Sequence, residues 1–74
     1  MIRLDSSAIK RAAKAAIGVS QQGEGLRADS LFFRAMGLFI RAAKAERAGS
    51  KVQIDAGELE FLLVESRAVA RGKK

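Results

Sequence analysis

Basic side chains are the residues of this chain whose types and spacing could do chemistry. Arg27, Arg34 and Arg41 recur every seven residues with Lys44 beside them, and Arg3, Lys10, Arg11 and Lys14 lie nearer the start. Such groups suit phosphate recognition, which asks for positive charge and only modest geometry. Over the whole sequence fourteen Lys and Arg stand against eight Asp and Glu, a net +6 that attracts polyanions or an acidic protein surface. The excess sits early: residues 1–49 hold nine bases and four acids (+5), and residues 50–74 hold five and four (+1).

Other chemistries are poorly served. With no His and no Cys, nucleophile–base pairs of the Ser–His or Cys–His kind and the usual zinc or haem ligands are missing. Glu58 and Glu65 share one helical face, but without convergent ligands from other elements they read as a solvated face. "GEGLRA" satisfies G-x-G-x-x-A, a spacing that has meaning only between a strand and a helix of a βαβ unit, and here a helix precedes it. No Tyr, no Trp and four mostly core-like Phe argue against a platform that stacks single-stranded bases. The expectation is no enzyme, no metal and no cofactor.

The basic groups must be positioned by short elements within one small domain, residues 1–74. "IRLD" alternates as a strand does, with Ile2 and Leu4 on one face and Arg3 and Asp5 on the other. Asp5, Ser6 or Ser7 can then cap a first helix over about 6–17, in which Ile9, Ala12, Ala13, Ala16 and Ile17 form one stripe. Lys10, Arg11 and Lys14 lie off that stripe, and Gly18 reads as its stop. "GVSQQGEGLRADS" reads as a loop whose far end turns toward helix near Leu26.

The second helix is predicted over 28–48, with Asp29 or Ser30 near its start and Gly49 as its stop. Leu31, Phe32, Ala35, Met36, Leu38, Phe39, Ala42 and Ala43 cover more than half of its circumference, and Phe33 and Ile40 extend that surface. One short Ala-rich helix cannot cover so much apolar area. A 74-residue chain also has a marginal core and no disulfide or metal to staple it. An intertwined homodimer is therefore expected, with Ile2, Leu4, Phe32, Met36, Phe39 and Ile40 in the dimer core.

"KVQID" repeats the opening pattern as a second strand over 51–54, followed by a third helix over about 56–71 that begins with the capping-box relative D-x-x-E at Asp55 and Glu58. The fold class is thus mostly α, divided into a basic part over 1–49, a strand–helix part over 50–71 and a basic tail over 72–74. "LFFRAMGLFI", broken by Arg34, is about half the length that a membrane span needs, and no secretory signal is legible, so a cytoplasmic protein is expected. The first strand has two candidate neighbours: residues 51–54 of its own chain, or its twin in a second subunit.

"IRLDSSAIKRAAKAAIGVS" followed by "ADSLFFRAMGLFIRAAKAE" resembles the ribbon-helix-helix (Arc/MetJ-type) family of bacterial, plasmid and phage DNA-binding proteins, over residues 1–48. The resemblance implies that the first strand pairs with its twin and that the resulting ribbon enters the major groove of duplex DNA. On that footing Ile2 and Leu4 face the dimer core and Arg3 reads guanine. Gly18 to Ser20 corresponds to the turn between the helices, and backbone amides near Asp29 to Leu31, beside Ser30, hold a phosphate.

Two functions follow as expectations. One is a dimeric, sequence-specific DNA-binding regulator, a repressor or antitoxin-like autoregulator, contacting DNA through Arg3, Lys10, Arg11, Lys14, Arg27, Ser30 and Arg34. The other is a small interaction module of the phage or plasmid accessory kind that binds and inhibits a larger protein.

Overall fold

The computed structural model describes residues 1–72 and measures 40 × 20 × 15 Å. Its elements run β1 (Ile2–Leu4), α1 (Ser6–Gln22), α2 (Leu26–Arg47), β2 (Val52–Ile54) and α3 (Ala56–Gly72). Three helices and two short strands are those expected, while several boundaries move. Of the expected basic tail, Gly72 closes α3, and Lys73 and Lys74 lie outside the described residues.

Asp5 starts α1: its Oδ2 accepts from the Ala8 amide at 3.1 Å and from the Ser7 hydroxyl at 2.8 Å. The helix then buries Ile9, Ala13, Ala16 and Ser20, a 4-3-4 spacing that holds one face. Opposite it α2 buries Ala28, Leu31, Ala35, Leu38 and Ala42 at 3-4-3-4 spacing. Small residues dominate both seams, so the two helices approach closely as an antiparallel hairpin.

This packing carries α1 past Gly18. Gly18 lies off the buried face, and continuing the helix through it costs about 1 kcal/mol relative to alanine. The extra turn brings Ser20 into the seam, where its hydroxyl is satisfied by the Ile17 carbonyl at 2.7 Å. The helix ends instead at Gly23, whose amide donates to the Ser20 carbonyl. Gly25, at φ +94°, a conformation that L side chains rarely adopt, then turns the chain into α2. The long loop expected between the helices is therefore residues 23–25, and α2 begins at Leu26 rather than at 28. At its other end α2 stops at Arg47, one residue short of expectation, with Gly49 and Ser50 donating back to the carbonyls of Glu46 and Ala45.

β1 pairs with β2 of its own chain, antiparallel, in the register Ile2↔Ile54, Arg3↔Gln53, Leu4↔Val52. Val52 and Ile54 are buried, Leu4 is half-buried and Ile2 is exposed. The two-stranded ribbon thus closes the end of the hairpin where α1 begins and α2 finishes. From α3, Leu62 and Val69 complete the core. Among the described residues no helix is long and apolar enough to cross a membrane.

Within one chain, Phe32, Met36 and Phe39 are half-buried, whereas Phe33 and Ile40 remain 72% and 50% exposed. The lengthened α1, which packs along α2 far more extensively than α3 does, covers more of it than the sequence suggests, and a narrower apolar strip is left over.

Candidate nucleic-acid interface

Arg27, Arg34 and Arg41 stay exposed but reach across the surface to α3. Arg27 forms a bidentate pair with Glu65, at 2.6 Å from Nε and 3.1 Å from Nη2. Arg34 places its guanidinium carbon 4.5 Å from the centroid of the Phe61 ring. Arg41 donates to Glu58 Oε2 at 2.8 Å and to the Gln53 carbonyl at 2.7 Å, tying α2 to both α3 and β2. Along α3 the partners Glu58, Phe61 and Glu65 recur at 3-4 spacing and in reverse order, so α2 and α3 are buttoned antiparallel by one arginine every second turn.

The electrostatics agree with that geometry. The hydrogen bond from Arg27 is the chief cause holding the Glu65 carboxyl below its usual range, and Arg41 does the same for Glu58. Lys10 is also engaged, pairing with Glu46 across the α1–α2 hairpin at 2.7 Å.

Ser30 is not at a helix terminus. It lies a full turn inside α2, where the Asp29 amide already donates to the Gly25 carbonyl, so the amides of Asp29 to Leu31 are spent on the helix itself and offer no phosphate cradle. The expectation of a phosphate site there is corrected by the earlier helix start.

The side chains of Arg3, Arg11 and Lys14 are exposed and make no hydrogen bond or ion pair among the described residues. Arg3 projects from the solvent face of the ribbon, directly across from Gln53. The same register sets Asp5 beside Lys51 on that face. The Asp5 carboxyl is held low, first by the Ser7 hydroxyl and then by the Ala8 amide, with smaller contributions from Arg11 and Lys51, which places both cations within electrostatic reach of it. Arg11 and Lys14 continue the basic surface along α1, on the side away from its buried stripe.

Gln53 and Lys51 were not expected to belong to this surface. Their signal is the repeated pattern of two apolar residues flanking one polar residue before an aspartate: antiparallel pairing of two such segments sets Arg3 against Gln53.

Compared with protein-family models, curated proteins and solved structures, the chain matches none. What this surface can do follows from its own geometry. It offers a narrow antiparallel ribbon with an arginine and an amide side by side, and exposed cations on either flank.

Proposed function

We propose that the protein is a cytoplasmic, sequence-specific DNA-binding regulator that reads duplex DNA with the β1–β2 ribbon. The observation that supports this reading best is the Arg3↔Gln53 register on the open face. A two-stranded ribbon fits a major groove about 12 Å wide; in that groove arginine pairs bidentately with guanine and glutamine with adenine. Arg11 and Lys14 on α1 and Lys51 beside the ribbon supply phosphate contacts that fix its register. The reading keeps the groove-entering ribbon of the ribbon-helix-helix resemblance but builds it from two strands of one chain.

Binding to random and selected duplexes across a salt series tests it. Affinity should fall steeply with salt, and Arg3→Ala and Gln53→Ala should reduce discrimination between sequences more than they reduce binding to random DNA. Salt-independent or undetectable duplex binding at low salt counts against the proposal.

A specific observation favours the second reading, an interaction module that binds a larger protein. An open groove runs between β1 and α3, lined by Ile2, Leu59, Leu63 and Val64 with Arg67 at its edge, and Leu63 and Val64 are each more than half exposed. Under this reading a stoichiometric protein partner is lost in Leu63→Asp while duplex binding is absent.

A further inference from the structure

The strip of α2 that is only partly covered within one chain has a regular pattern. Asp29, Phe33, Met36, Ile40, Ala43 and Arg47 follow one another at 4-3-4-3-4 spacing, the a/d repeat of a coiled-coil seam, and they face away from the buried Ala28–Ala42 seam. Phe33 is 72% and Ile40 50% exposed. The side chains of Asp29 and Arg47, at the two ends, are exposed and make no hydrogen bond or ion pair among the described residues.

We propose that this seam pairs α2 antiparallel with α2 of a second copy of the chain, about a two-fold axis at the level of position 38. The charges select this occupant. An axis that sets Met36 of one copy against Ile40 of the other also sets Phe33 against Ala43 and Asp29 against Arg47, because each pair is centred on that position. The large Phe33 ring then meets the smallest apolar residue of the seam, and opposite charges close both ends. A parallel pairing sets aspartate on aspartate at one end and arginine on arginine at the other. The antiparallel arrangement also opposes the two helix dipoles. The contact is isologous, so it closes at two subunits. It leaves Arg3 and Gln53 outside the contact and does not depend on the DNA-binding reading.

Sedimentation equilibrium of the full chain tests the pairing. A dimer is expected in the micromolar range. Ile40→Glu, at a half-exposed position where the monomer fold should persist by circular dichroism, should weaken association about 100-fold or more, since it sets a charge in the centre of the seam on both copies. Asp29→Arg and Arg47→Asp should each weaken it roughly tenfold by turning both end pairs repulsive, and the double reversal Asp29→Arg/Arg47→Asp should restore the original affinity. A monomer at every concentration up to the high-micromolar range overturns the proposal. So does a dimer indifferent to Ile40→Glu, or a double reversal that rescues nothing.

Discussion

Arg34 and Phe61 meet face to cation, the guanidinium carbon 4.5 Å from the ring centroid. The contact sits midway between the Arg27–Glu65 and Arg41–Glu58 pairs and is the apolar step of the α2–α3 seam. Arg34→Ala should destabilise the chain by about 0.5–1 kcal/mol, the range of a solvent-exposed cation–π contact. Phe61→Leu should remove most of that effect of Arg34→Ala. Urea unfolding of the two single variants and the double variant measures this coupling; additive losses would show that the stacking contributes nothing.

Acid should loosen the same seam. The carboxyls of Glu58 and Glu65 are held below their usual range by Arg41 and Arg27, and that of Asp5 by the Ser7 hydroxyl and the Ala8 amide. A group whose folded pKa is depressed contributes stability above its unfolded pKa and loses it as pH falls through the folded value. Stability should therefore be level near neutrality and decline below about pH 5. Glu65→Gln should flatten the decline, measured as thermal midpoint against pH. An unchanged slope in that variant would mean the Arg27 pair is without energetic consequence.

Two glycines five positions apart should respond in opposite directions. At Gly18 a Cβ meets nothing within 4 Å, and Gly18→Ala should stabilise α1 by about 0.5–1 kcal/mol. At Gly23 a Cβ comes 2.6 Å from Val69 Cγ1 and 3.2 Å from Ala28 Cβ, so the Val69 side chain or the helix that carries it must give way to admit it. Gly23→Ala should cost about 1–3 kcal/mol. Thermal melts of the pair check both signs.

The close α1–α2 approach rests on alanine at the centre of the seam. Ala35 is fully buried. Ala35→Leu keeps helix propensity nearly unchanged, so its expected loss of about 1–3 kcal/mol or more reports packing alone. A neutral result by chemical denaturation would show that the hairpin can open without penalty.

On DNA, cations in different places should act differently. Lys14→Ala should lower the log–log salt slope by about 1 and weaken all duplexes alike. Arg3→Ala should cost about 1–3 kcal/mol on a selected site and much less on random duplex. Arg27→Ala should leave the slope unchanged, because its charge is already answered by Glu65. Equal slopes for Lys14→Ala and the unmodified chain would remove α1 from the interface.

The number and order of elements, a cap among Asp5, Ser6 and Ser7, the stop near Gly49 and the stripe through Ile9, Ala13 and Ala16 are all legible in the sequence. Each depends on residues within a turn or two of one another, where capping, periodicity and propensity act. The candidate interface is half legible. Arg3 stands out from strand alternation alone, whereas Gln53 gains its place only once β1 is known to pair within the chain.

Tertiary structure alone decided where α1 ends, which strand β1 takes and which way the arginines point. Gly18 carries a local stop signal, but burial of Ser20 in the α2 seam outweighs it and moves the end to Gly23. Arg27, Arg34 and Arg41 look like a free solvent strip because their spacing places them opposite an apolar face; they are engaged at the surface because Glu65, Phe61 and Glu58 arrive there from another helix. Local interactions write the elements into the chain. Contacts between residues far apart in sequence determine which faces remain free to bind.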